Sequence, residues 1–213
     1  MKTLIMLEFF NAGGLLMWPL YASSIIAIAI IAERFWSLQS QRISPPELIT
    51  QIWQLIKYKQ IDDARIEELQ ANSPLGQILA AGLITRHSSR DITKESIEDV
   101  GRHVTQSLER NLNTLGTIAA ITPLLGLLGT VIGMIKVFAV ITTEGVGNPE
   151  TLAGGISEAL ITTATGLVVA IPSLIFYRFF RGKINILVVD MEEKAMKLVE
   201  ILHGDREFDP DKA

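Results

Sequence analysis

The sequence predicts an all-α, polytopic membrane protein with three transmembrane helices, of which the second and third extend into a cytoplasmic helical bundle. Three stretches carry no charged residue: 24 residues after Glu8, 25 after Arg110 and 19 after Glu158. A bilayer core of about 30 Å needs roughly 20 apolar residues in a helix, so each stretch is long enough to be a span. The mean hydropathy is positive, at +0.34.

The average composition hides this pattern. With 213 residues, 48% of them apolar and 20% charged, the chain has the composition of an ordinary globular domain. The absence of cysteine excludes a disulfide scaffold and a zinc–thiolate site. A net charge of −4, from 19 basic and 23 acidic residues, does not favour a nucleic-acid partner. We expect no metal and no cofactor.

The N-terminal part divides into an interfacial segment, residues 1–12, and a first transmembrane helix, residues 13–36. A cleaved signal peptide is the alternative for this region. Glu8 interrupts the apolar run, however, and no clean small-residue cleavage site precedes a polar start.

Residues 37–113 are predicted to form a cytoplasmic helical region. Apolar residues at spacings of three and four mark one helix face near its end: Ile97, Val100, Val104, Leu108, Leu112 and Leu115. Because no helix breaker precedes the second transmembrane helix, residues 114–142, we expect one helix over residues 93–141, about 70 Å long.

A periplasmic loop, residues 143–151, leads into the third transmembrane helix, residues 152–180. A cytoplasmic helix, residues 181–204, follows, with a disordered tail at 205–213. Lys and Arg follow the first and third spans but are absent from the loop, so the positive-inside rule places the N-terminus in the periplasm and the C-terminus in the cytoplasm.

Glu158 lies in the third span. A charge at the bilayer centre costs about 2.5–3.5 kcal/mol on insertion scales. A carboxyl there lines a polar cavity, pairs with a cation or is protonated, and it can serve as a proton relay. The alternative is a carboxyl that snorkels at the outer edge of the span.

Hydroxyl residues accompany this carboxyl. Thr130 lies 17 residues before Gly147 and Thr163 lies 16 after it, so a straight hairpin places them at one level. That level is about 7 Å on the cytoplasmic side of Glu158. Hydroxyls donate and accept hydrogen bonds, so such a band can hold a short water chain. Helical periodicity puts Thr162 nearer the Glu158 face than Thr163.

Small residues form stripes on both helices and predict close helix packing. The predicted packing positions are Gly126, Gly129, Gly133, Gly155 and Gly166. Lys136 and Glu158 are each 11 residues from Gly147, and pairing between them would oppose proton loading. We expect Lys136 to snorkel to the outer surface instead, and it stays a possible electrostatic modulator.

Two segments carry specific motifs: residues 116–134, GTIAAITPLLGLLGTVIGM, and residues 154–172, GGISEALITTATGLVVAIP. They resemble the ExbB/TolQ/MotA proton-channel family, and most closely its ExbB branch of biopolymer transport. The resemblance implies that Glu158 is the pore glutamate and that Thr130 and Thr163 are the membrane threonines. It therefore points to Thr163 where periodicity favours Thr162. Lys136 departs from the family pattern.

The resemblance also implies partners. They are further copies of the chain in a pentamer, ExbD-like single-span helices in its central pore, a TonB-like transducer and membrane lipids. The expected function is that of a proton-channel subunit in the bacterial inner membrane, which couples the proton motive force to outer-membrane nutrient uptake such as iron–siderophore import.

Other functions remain as alternatives. They are a TolQ-like subunit for envelope integrity and a non-conducting membrane scaffold in which Glu158 only pairs with Lys136. An enzyme is not expected, because the histidines are scattered and no catalytic motif is present.

Overall fold

The computed structural model describes residues 14–58, 61–145 and 149–204, and within these ranges all regular structure is helical. The helices are α1 (Met17–Ser37), α2 (Ser40–Ile43), α3 (Leu48–Lys57), α4 (Asp63–Asn72), α5 (Pro74–Ile84), α6 (Arg90–Glu109), α7 (Leu112–Glu144) and α8 (Pro149–His203). The predicted interfacial segment 1–12 and tail 205–213 lie outside the described residues, as does the centre of the predicted loop.

Three of these helices are long and apolar enough to cross a membrane: α1, α7 over Leu112–Thr143, and α8. In the most apolar window of each, less than a third of the residues is buried within the chain. Each of the three exposes large apolar side chains, such as Ile25, Leu124 and Val168, as contact with a bilayer core requires. The prediction of an all-α polytopic membrane protein is confirmed.

The chain divides into two compact units. The first, here called the span unit, comprises Met1–Glu33 and Asn111–Phe179. The second, the bundle unit, comprises Arg34–Arg110 and Phe180–Ala213. Helix α8 contributes its first part to the span unit and its last part to the bundle unit.

The single helix expected over residues 93–141 is interrupted, because α6 ends at Glu109 and α7 begins at Leu112. The Arg110 N–H donates to the Ser107 carbonyl, three residues back. Asn111 precedes α7, and its side-chain amide donates to Glu33 Oε2 at 3.2 Å. Both turn residues keep nearly helical backbone angles, so the apolar period continues across the turn and does not reveal it.

The bundle unit has an apolar core. Helix α5 buries eight of its eleven residues, and Ser73 caps it by accepting a hydrogen bond from the Gly76 N–H at 3.0 Å. The last part of α8 buries an apolar stripe at helical spacing: Ile184, Leu187, Met191, Ala195 and Leu198.

A polar cluster ties α8 to the segment after α2 within the bundle unit. Lys194 Nζ donates to Ser44 Oγ at 2.7 Å and to Asp190 Oδ2 at 2.8 Å, and Ser44 also donates to Asp190. Burial by itself raises the pKa of Asp190. The hydrogen bonds from Lys194 and Ser44, with the charges of Lys194 and Lys197, outweigh burial and hold that pKa below its ordinary value.

Candidate functional site

The candidate site lies between α7 and the first part of α8, where the two backbones approach closely. A Cβ added at Gly133 would lie 2.7 Å from Ala159 Cβ, and one added at Gly166 would lie 2.6 Å from the Thr122 carbonyl oxygen. Neither distance is tolerated by real side chains. Only glycine fits at these two positions, which is how small residues bring membrane helices together.

The other predicted packing glycines also lie on this interface. A Cβ added at Gly126 would be 3.0 Å from Thr163 Cα, and one at Gly129 would be 2.5 Å from Thr162 Cγ2. One at Gly155 would be 2.6 Å from Val137 Cγ2. The structure therefore places all five glycines where α7 and α8 touch.

Lys136 and Glu158 form an ion pair across this interface, with 2.7 Å between Lys136 Nζ and Glu158 Oε1. The expectation that Lys136 snorkels away from Glu158 is wrong. The two residues are equally far from the turn, and Gly133 and Gly155 let the helices come close enough for the side chains to meet. A paired cation and carboxylate also offset each other's desolvation, so contact competes well with extension to the surface.

Exposure differs between the two partners. The Lys136 side chain is 54% exposed, whereas the Glu158 side chain is 24% exposed. The Lys136 ammonium is thus the more exposed group of the pair, and the Glu158 carboxyl is the more enclosed one. To exchange a proton, this carboxyl needs a donor or acceptor, such as a water molecule or another side chain, within hydrogen-bond distance.

Gly14 is the third group at the carboxyl. It precedes α1 with φ +67°, and its carbonyl accepts the Met17 N–H at 3.2 Å. A Cβ at this position would overlap Glu158 Oε1 and lie 3.0 Å from its Cδ. Sequence reasoning missed Gly14, and the signal available was only the pair of glycines at positions 13 and 14 before the first span.

The three predicted threonine hydroxyls all donate to backbone carbonyl oxygens. Thr162 is buried and donates to the Glu158 carbonyl at 2.8 Å, within its own helix. Thr163 donates across the interface to the Gly126 carbonyl at 2.8 Å, and Thr130 donates to Leu127 at 2.6 Å. The structure does not join Thr130 to Thr163, although each hydroxyl oxygen can still accept a hydrogen bond.

Thr122 is a buried hydroxyl residue that the sequence reasoning did not single out. It is fully buried, donates to the Ile118 carbonyl at 2.9 Å and faces Gly166. Its place within the small-residue stripe of α7 was the available signal. Among residues 14–58, 61–145 and 149–204, no cluster of three His, Cys, Asp or Glu could hold a metal ion.

Comparison with known proteins identifies the family of this chain. The model of the MotA/TolQ/ExbB proton channel family matches residues 70–193, more than half of the chain. An ExbB-like biopolymer transport protein of Synechocystis is 34% identical over 176 residues, covering 81% of this chain and 69% of the relative. The biopolymer transport protein exbB1 of Vibrio cholerae is 30% identical over 167 residues, covering 76% and 72%.

The TolQ branch is also represented. The Tol-Pal system protein TolQ of Haemophilus influenzae is 35% identical over 98 residues, which cover 46% of this chain and 43% of the relative. The chain belongs to the MotA/TolQ/ExbB proton channel family.

Proposed function

We propose that the chain is an ExbB-like proton-channel subunit of an energy-transducing motor in the bacterial inner membrane. The observation that carries the proposal is Glu158, an acidic side chain held between two apolar helices that otherwise meet through small residues. Such a carboxyl in a membrane span is by default a functional residue. The proposed role is to couple the proton motive force to outer-membrane nutrient uptake, such as iron–siderophore import.

The proposed assembly is a pentamer of this chain around ExbD-like single-span helices, with a TonB-like transducer and surrounding lipid. In this proposal the N-terminus is periplasmic, and the bundle unit and the C-terminus are cytoplasmic. The Lys and Arg pattern supports that orientation, because basic residues follow α1 and the membrane part of α8.

In the proposed mechanism Glu158 takes up a proton and passes it on. While ionised, the carboxylate is held by Lys136 at 2.7 Å. Protonation removes the charge attraction, so Lys136 can then swing outward on its flexible stem. Hydroxyl groups both donate and accept hydrogen bonds, and those of Thr130, Thr162 and Thr163 are proposed to order water on the cytoplasmic side of the carboxyl.

The test is Glu158→Gln in the full complex with its partner subunits, because glutamine keeps the size and removes the titratable proton. We expect proton flux into vesicles and siderophore uptake to fall to background, with a normal amount of assembled complex. Glu150→Gln, two turns earlier on the same helix and exposed, is the matched control and should transport normally. Uptake at the wild-type rate in Glu158→Gln cells would refute the proton-relay role.

A non-conducting scaffold is the second candidate, and the Lys136–Glu158 ion pair is the observation that favours it. If the pair only holds α7 and α8 together, Lys136→Met should reduce assembly as strongly as Glu158→Gln. The channel proposal expects both variants to assemble and only Glu158→Gln to abolish flux.

A TolQ-like role is distinguished by phenotype. Deletion of the gene should lower siderophore uptake if the chain works with a TonB-like transducer. It should cause envelope leakage with normal uptake if the chain serves the Tol-Pal system.

A further inference from the structure

Glu158 is contacted from α7 and from the residue segment just before α1. Lys136 reaches it from α7, at 2.7 Å. Gly14, three residues before the first residue of α1, lies against the same oxygen, Oε1. The ion pair and the glycine contact therefore meet at one atom of one carboxyl.

The contact with Gly14 depends on the missing side chain. A Cβ there would overlap Oε1, so any other residue at position 14 would force the carboxylate out of the position in which it meets Lys136. The backbone at Gly14 is also held in place, because φ is +67° and its carbonyl accepts the Met17 N–H of the first turn of α1. A left-handed conformation of this kind is readily adopted by glycine.

The surroundings of the carboxylate supply one opposite charge. Lys136 is the only charged residue of α7 over Leu112–Thr143. Within the span unit the described helices carry these further titratable residues: Tyr21 and Glu33 on α1, Glu144 on α7, and Glu150, Tyr177 and Arg178 on α8.

We propose that Gly14 and Lys136 form a clamp that holds the Glu158 carboxylate in the ion pair, with Gly14 as a positioning residue. Releasing Glu158 to take up a proton then requires the segment at Gly14 or the Lys136 side chain to move. The role of the clamp in transport rests on the proposed function, whereas the placement of the carboxylate does not.

The test measures how readily Glu158 reacts with a hydrophobic carbodiimide, which attacks protonated carboxyls in membranes. Membranes that contain the full-length chain are treated at neutral pH, and the modified residue is identified by mass spectrometry, with Glu158→Gln as the blank. We expect Gly14→Ala and Lys136→Met each to speed labelling about fivefold, because the carboxyl is then released from the ion pair and open to the reagent.

Gly145→Ala is the matched control for Gly14→Ala. Gly145 also has a positive φ, +76°, so alanine there is strained as well, but a Cβ would find nothing within 4 Å. Its labelling rate should equal that of the wild type. A Gly14→Ala rate equal to that of Gly145→Ala would overturn the clamp, as would an unchanged rate in Lys136→Met.

A second variant covers the case in which Gly14→Ala does not accumulate in the membrane. The double variant Gly14→Ala with Glu158→Asp shortens the acidic side chain by one methylene, which makes room for the added Cβ at position 14. Recovery of the membrane level supports the contact, and no recovery overturns it. Because labelling needs no transport, faster labelling in a complex without proton flux would refute the proposed function and leave the clamp intact.

Discussion

Helix α8 packs in both units, but by different means. In the span unit it meets α7 through glycines, alanines and hydroxyls, and a Cβ at Gly155 or Gly166 would collide with α7. In the bundle unit it buries large apolar side chains, such as Ile184 and Met191. Lipid is as apolar as a leucine side chain, so burying leucine between membrane helices gains little, and close approach stabilises them instead. In water, burial of apolar surface is the main driving force.

Because α8 buries large apolar side chains in the bundle unit, we expect substitutions there to have the largest effect on stability. Ile184 is fully buried, so Ile184→Ala should destabilise this unit by about 2–5 kcal/mol. Ile186, two residues on and 72% exposed, is the matched control, and Ile186→Ala should change little. Hydrogen exchange of the bundle amides in the full-length chain measures both. Equal effects would show that burial does not govern this part of α8.

In the span unit the sensitive positions are glycines. Gly133→Ala places a Cβ 2.7 Å from Ala159 Cβ, and such overpacking should cost about 1–3 kcal/mol. Gly154→Ala, where a Cβ meets nothing within 4 Å, is the control. Thermal unfolding of the full-length chain in detergent should show a lower midpoint for Gly133→Ala only. A midpoint shared by the two variants would contradict the close helix contact.

A glycine in the bundle unit should respond with the opposite sign. Gly101 lies inside α6, and a Cβ there meets nothing within 4 Å. Gly101→Ala should therefore stabilise the unit by about 0.5–1 kcal/mol through helix propensity. Hydrogen exchange in α6 measures the gain. A loss of stability would mean that Gly101 contacts something outside the chain.

The smallest effect concerns the polar cluster of the bundle unit. Because the pKa of Asp190 is lowered on folding, its contribution to stability is present above the ordinary carboxyl pKa of 3.8. The contribution is lost as the pH falls below that value. The Asp190 side chain is 41% exposed, so solvent screening keeps the contribution below about 1 kcal/mol.

Asp190→Asn tests this contribution. The variant should be slightly less stable than the wild type at pH 7, and the difference should vanish near pH 2. Denaturant unfolding of the bundle unit at both pH values measures it. A difference that persists in acid would assign the effect to packing of the side chain and not to its charge.

Much of the fold was predictable because its signals are local. Uncharged stretches of membrane length mark α1, α7 and α8, and apolar spacing marks the face of α6 on which Ile97, Val104 and Leu108 are buried. The turn at Arg110 and Asn111 was not predictable from that spacing. Its backbone stays nearly helical, and the bond from Asn111 goes to Glu33, 78 residues earlier in the chain.

The sequence by itself determined the three spans, the small-residue stripes, the family and the unusual placement of Glu158, since each depends on residue type and helical period. Only the tertiary structure decided what Glu158 touches. Equal distance from the turn allowed Lys136 to pair or to snorkel, and no spacing relates Gly14 to a residue 144 positions later. Those contacts depend on side-chain rotamers and on how closely three helices approach, and neither is encoded in a linear period.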